Sequence, residues 1–385
     1  MGPNVKRWLG SVGMGMTLFS GLPWIVEGAE AFKYQYEFGP IRIPSAHPDE
    51  PVRHEFSLEL ASQYTEQGAV AWTRGQKCVT CHTNGTYLAL RPSLSGPLGE
   101  PSQEVRDLFV KLLRNGIRQL GSSRGLGDSH LIYIARGLAE WDAHVSGELS
   151  EDTSLALEQL FKRQLPTGVW KPILESWPPL ESSAFQEATV AAMAVGVAPG
   201  WLAGLTDQRL KAGVERLKDY FRTVEPPHDY GRVVLLWASA QLPGLLEESG
   251  KAEIVELIRR KQQADGGWSI RTFARPEQWG DGSRAEKLRN ENEASNPSSD
   301  GHQTGLAVIA LREAGVSAQD PTIRRAVHWI LRNQRQSGRW WTRSLNTDKY
   351  HFITYSGTLY PLLALHLSGA LPEVMGTEDR ARDLR

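Results

Sequence analysis

The chain has only two cysteines, and they stand two residues apart: Cys78-Val79-Thr80-Cys81, with His82 directly after. C-x-x-C-H is the spacing that haem attachment requires. Two thiols add across the two vinyl groups of a haem, and the imidazole of the next residue then reaches the iron as proximal ligand. The expectation is one covalent haem c, held by Cys78 and Cys81, with His82 on the iron. Other chemistries compete for the same residues. Two cysteines in an exported protein usually form a disulfide. A zinc site takes about four ligands, and no second cysteine pair completes one. A redox-active C-x-x-C expects a thioredoxin-like βαβ setting, which the flanking sequence lacks.

The motif resembles the attachment site of c-type cytochromes, whose haem in bacteria is attached on the exported side of the membrane. The N-terminus agrees with that compartment. Lys6 and Arg7 precede an apolar stretch from Trp8 to Val26, broken by several glycines and Pro23, and Ala29-Glu30-Ala31 supplies the small residues of a cleavage site. Residues 1–31 read as a signal peptide, with an uncleaved membrane anchor as the other reading. Both place the folded part outside the cytoplasm, in the periplasm or otherwise exported. No further stretch of 18 or more apolar residues follows, so no membrane span is expected in the mature chain. The formal net charge is -1, and no basic cluster alternates with aromatics, which argues against a nucleic-acid partner. Candidates for a sixth iron ligand are His47, His54, His130, His228, His302, His351, Met193 and Met375, and an open position is equally compatible with the sequence.

The elements that must position this motif show a repeat. Amphipathic helical segments end near a glutamine and are followed by a glycine turn and a tryptophan, at Gln164 to Trp170, Gln262 to Trp268 and Gln334 to Trp340. A fourth, degenerate copy runs from Val70 to Gln76 into the haem motif, with Thr80 at the glycine position and His82 at the tryptophan position. Between these lie helices that are apolar on most faces, at 130–144, 183–197, 230–242, 304–314 and 354–367, as buried helices are. Helical pairs repeated at a period of tens of residues predict a solenoid or a closed array. The fold class expected is all-α, an α/α toroid with inner and outer rings.

The Gln-x-x-x-Gly-x-Trp segments resemble the QW repeats of squalene-hopene and oxidosqualene cyclases, and Ser299 to Gly305 resembles an inner-helix segment of the same superfamily, which includes prenyltransferase β subunits. The resemblance spans about residues 57–369 and implies a toroid with a central apolar cavity, the glutamine bonding a neighbouring helix end while the tryptophan packs over it. The chain then divides into a signal peptide (1–31), an N-terminal extension (32–56), a toroid containing the haem site (57–369) and a polar tail (370–385). The acidic Asp-x-Asp-Asp cluster with which squalene-hopene cyclases protonate an alkene is missing, and Asp281 and Asp300 stand apart. Squalene cyclisation is therefore not expected. Prenyltransferase β subunits bind zinc through Asp-x-Cys and a later histidine. Asp300-x-His302 falls at a comparable place, and His351 could complete a second metal site for zinc or iron. The other reading makes Asp300 a helix cap and His302 a satisfied polar residue. Two functions remain: an exported haem protein acting in electron transfer or haem-dependent redox chemistry with a redox partner protein, or a toroid enzyme or binding protein acting on a hydrophobic, isoprenoid-like small molecule.

Overall fold

A computed structural model describes residues 34–118, 126–171, 177–291, 294–347 and 351–371. Residues 1–31, expected to be a signal peptide, and the tail residue Met375 lie outside these residues. The chain opens with an antiparallel hairpin, β1 (Tyr34–Phe38) and β2 (Ile41–Pro44). Helices then follow in pairs: α1 (Leu58–Gln76) with α2 (Asn84–Leu90), a short α3 (Ser95–Leu98), α4 (Gln103–Arg118) with α5 (Asp128–Trp141), and α6 (Glu151–Lys162) with α7 (Ala184–Val197). Next come α8 (Gln208–Thr223) with α9 (Asp229–Gln241), α10 (Glu248–Arg260), a short α11 (Ala285–Arg289), α12 (Gly301–Glu313), and α13 (Pro321–Arg332) with α14 (Ile353–Leu367).

The inner ring closes on itself. Helix α2 packs on α5, α5 on α7, α7 on α9, α9 on α12, α12 on α14, and α14 on α2. Outside it lie α1, α4, α6, α8, α10 and α13. The two rings differ as their sequences dictate. In α13 the buried residues Thr322, Ile323, Ala326, Trp329 and Ile330 recur at helical spacing and form one stripe. In α12 every residue from Gly301 to Leu311 is buried, so no face is polar. Side-chain caps fix where several helices begin: Ser57, Ser150, Ser183, Asp207, Asp300 and Asp320 each accept a backbone N–H from the first turn.

Contacts between neighbours show that the inner helices run parallel. Ser129 near the start of α5 bonds Glu187 near the start of α7. Tyr230 of α9 and Ser356 of α14 both bond His302 of α12. At the opposite end Arg136 bonds Gln241, and Arg312 bonds the Leu367 carbonyl. One mouth of the ring is thus lined by inner-helix N-termini.

The three QW segments share one geometry. Trp170, Trp268 and Trp340 each donate Nε1–H to the carbonyl ten residues back, on Leu160, Ile258 and Ile330, at 2.7, 2.8 and 2.7 Å. Each glutamine donates to its own glycine carbonyl, at 2.8, 2.8 and 2.9 Å, and to a carbonyl on another outer helix or its cap. Those second partners are Gly213, Thr322 and Ser57. The last bond is the seam of the ring: Gln334, which follows α13, binds Ser57, the cap of α1, through both Nε2 and Oε1. Gly338 needs its φ of 85° there, and a Cβ would come within 2.5 Å of the Leu60 backbone.

Candidate functional site

Helix α1 stops at Lys77, whose φ of 54° turns the chain out of the helix. The next residues form a loop clamped onto the start of α2. Asn84, fully buried, accepts from the Thr80 amide and donates to the Cys78 carbonyl, both at 2.9 Å. The Gly85 amide bonds the Thr80 carbonyl at 2.9 Å, and Thr86 bonds the Cys81 carbonyl at 2.5 Å. A Cβ on Gly85 would meet the Thr80 oxygen at 2.5 Å, so this position needs glycine for close approach. No equivalent of Asn84 was picked out in the sequence, although an Asn two residues after the motif histidine is a visible signal for such a clamp.

The clamp points the two thiols differently. Cys78 is exposed and Cys81 buried, and they are not bonded to each other. Burial pushes both thiols up, Cys81 strongly, with the nearby Glu181 adding to the effect. Neither is a low-pKa thiolate of the kind that redox-active cysteines use. Glu181 itself is pushed up to about 7 by burial.

The His82 ring is held between aromatics. Phe352 stacks on it at 4.5 Å and 20°, and Trp72 meets it edge-on at 4.8 Å and 86°. Its Nδ1 bonds the Thr83 hydroxyl at 2.8 Å. In the repeat register His82 corresponds to a tryptophan. Its ring packs on Trp72, ten positions back, and its Nδ1 bonds Thr83, where each repeat tryptophan bonds the backbone carbonyl ten positions back.

Among the described residues, no three or more His, Cys, Asp or Glu side chains are grouped to hold a metal ion. Cys78, Cys81 and His82 therefore do not converge, as zinc ligands would. Haem attachment makes no such demand, because the thiols meet the vinyl carbons and the imidazole meets the iron. The donor set is compatible with that group.

Asp300, His302 and His351 likewise form no such group among the described residues. Asp300 caps α12, accepting from the Gln303 amide at 2.9 Å, and also accepts from the Ile270 amide at 2.6 Å and from Thr342 at 3.3 Å. Both nitrogens of His302 are engaged, Nε2 with Tyr230 at 3.1 Å and Nδ1 with Ser356 at 2.7 Å. His351, at φ 50°, packs on Trp341 with ring centroids 4.5 Å apart. The Asp300 carboxylate and the His302 imidazole are thus each engaged by protein groups. The sixth-ligand candidates scatter: His47 and His54 are exposed, Met193 is buried in α7, and His228 caps α9. His351 is the one that directly precedes a residue touching His82, namely Phe352.

Buried imidazoles make acid stability a test of this packing. Burial holds His302 down to about 3, against 6.5 in an unfolded chain. A lowered imidazole contributes stability that is complete above about pH 6.5 and lost as pH falls toward 3. Glu181 and Asp300, raised to about 7 and about 6, act in the opposite sense, since a raised carboxyl costs stability as pH rises. Comparing wild type with His302→Gln isolates the histidine. The stability advantage of wild type is expected to shrink by about 1.4 kcal/mol per pH unit below 6.5 in urea titrations. A constant difference from pH 7 to 4 would contradict the neutral, enclosed ring.

Residues 229–368 match the squalene-hopene cyclase C-terminal domain. The match runs from α9 through α14, and the C-x-x-C-H motif at Cys78 to His82 lies outside it. The fold is an all-α, α/α toroid. A solved glycosidase in complex with glucose is similar to this chain over 82% of it and 99% of the other chain, at 12% identity and a TM-score of 0.50. The type II terpene cyclase MstE from Scytonema, in complex with geranylgeranyl dihydroxybenzoate, is similar over 81% and 99%, at 14% identity and a TM-score of 0.46. A protein from Actinoplanes is similar over 80% and 99%, at 15% identity and a TM-score of 0.46. No curated protein matches the sequence.

Proposed function

We propose that this chain is an exported toroid protein carrying one haem c, bound through Cys78 and Cys81 with His82 Nε2 toward the iron, and acting in electron transfer or haem-dependent redox chemistry. The observation that carries the reading is the C-x-x-C-H loop itself: its backbone is clamped by Asn84 and Thr86, with one thiol outward and one inward. Two further features support it. The thiols are neutral rather than activated, and His82 has its Nδ1 occupied, leaving Nε2 for a metal. Haem supplies one-electron redox chemistry. The chain's own residues orient the imidazole and enclose it in aromatic surface.

The comparisons speak for the scaffold and so favour a second reading more directly: a toroid enzyme or binding protein for a hydrophobic, isoprenoid-like ligand. An aromatic group contributed by the inner ring fits this, with Trp237 and His302 both packed on Tyr360, at 6.1 and 4.8 Å. For acid chemistry the carboxyl to watch is Glu181, which keeps its proton nearest neutral pH. Asp281 is exposed and bonded to Ser283, and burial raises Asp300 less.

The pyridine haemochrome spectrum separates these readings. Full-length protein exported from a host that attaches haem c is expected to show the two-thioether form, and Cys78→Ser the one-thioether form. Protein with no haem band from such a host would overturn the first reading and leave the second.

A further inference from the structure

The geometry points to Thr83 and Tyr36 as positioning residues that fix the tautomer and orientation of His82, so that the N-terminal hairpin is part of the haem site. This rests on the reading of His82 as an iron ligand.

Thr83 stands at the N-cap position of α2, where a threonine hydroxyl ordinarily accepts a backbone N–H of the first turn. It makes no such bond. Its hydroxyl lies instead 2.8 Å from His82 Nδ1 and 2.9 Å from the Tyr36 hydroxyl. Thr83 is fully buried and Tyr36 is 2% exposed, so water does not substitute for either partner. With Nε2 as the iron-binding nitrogen the neutral ring carries its proton on Nδ1, so the hydroxyl accepts from Nδ1–H, and the Thr83–Tyr36 bond is satisfied with either oxygen as donor. With the proton held on Nδ1, the lone pair sits on Nε2. Phe352 and Trp72 restrict rotation of the ring.

Tyr36 arrives from β1, more than forty residues before the motif in sequence. Its ring is fixed by Tyr64, Trp72, Phe352 and Tyr355, with centroids 6.3, 6.4, 5.7 and 5.8 Å away. The extension thus threads a phenol into the aromatic wall behind His82. A ligating imidazole that donates its second N–H is a stronger electron donor to the metal, which favours the oxidised iron. Thr83 therefore lowers the reduction potential, and Tyr36 supports Thr83.

The test uses the full-length exported protein and the variants Thr83→Val, Thr83→Ser and Tyr36→Phe. Haem content per chain is measured first, then the reduction potential by optical titration. With haem content unchanged, Thr83→Val is expected to raise the potential, Tyr36→Phe to raise it less, and Thr83→Ser to restore it. Nitrogen NMR of labelled histidine in the apoprotein gives a second readout: His82 is expected to be protonated on Nδ1 in wild type and to lose that preference in Thr83→Val. Haem-loaded Thr83→Val with wild-type potential and wild-type tautomer would overturn the inference while leaving the haem in place. Wild-type protein without haem would overturn both.

Discussion

Trp340→Ala is expected to cost the protein about 3–5 kcal/mol, the range for removing a buried Trp or Phe. The Ile330 carbonyl loses its indole donor as well. Trp340 is fully buried, packs on Phe56, and sits beside the seam where Gln334 joins the last outer helix to the cap of the first. Domains of ordinary stability have about 5–15 kcal/mol in total, so the variant is expected to be mostly unfolded or to melt far below wild type. Trp177→Ala is the control, since Trp177 is 41% exposed. Urea midpoints for the two variants decide the matter. Equal midpoints would refute the structural role of the QW tryptophans.

His82→Ala is expected to have the largest spectroscopic effect. On the proposed haem reading, the haem is expected to stay attached through Cys78 and Cys81 while the iron loses its imidazole. The reduced spectrum should leave the wild-type form, and added imidazole should restore it by entering the space between Phe352 and Trp72. A variant whose spectrum equals wild type before imidazole is added would show that another residue holds the iron on that side.

The fold was largely legible because its period is written in residues with fixed jobs. Gln164, Gln262 and Gln334 each lock a turn, and Trp170, Trp268 and Trp340 each return a hydrogen bond to their own helix. The inner helices α5, α7, α9, α12 and α14 announced themselves by being apolar all round. Helix α4 has no QW turn after it, and α2 is only seven residues long, so neither carries the signal that marked the others.

The C-x-x-C-H motif of the candidate site is visible in the sequence, and its surroundings are not. C-x-x-C-H is local in sequence. The partners of His82 come from β1, α1 and the start of α14, and only the closed ring brings Tyr36, Trp72 and Phe352 together. Asp300 and His302 show the converse. Their spacing suited a metal, yet a residue directly before an inner helix is also where a cap belongs, and the backbone amides of Ile270 and Gln303 take its oxygens.

The most direct test of the haem assignment is the mass of the peptide spanning Cys78 to His82, taken from exported full-length protein. The expected mass is that of the peptide plus one haem, with the increment absent from the Cys78→Ser/Cys81→Ser double variant. A wild-type peptide at its bare mass, or an increment that survives both substitutions, would contradict the assignment.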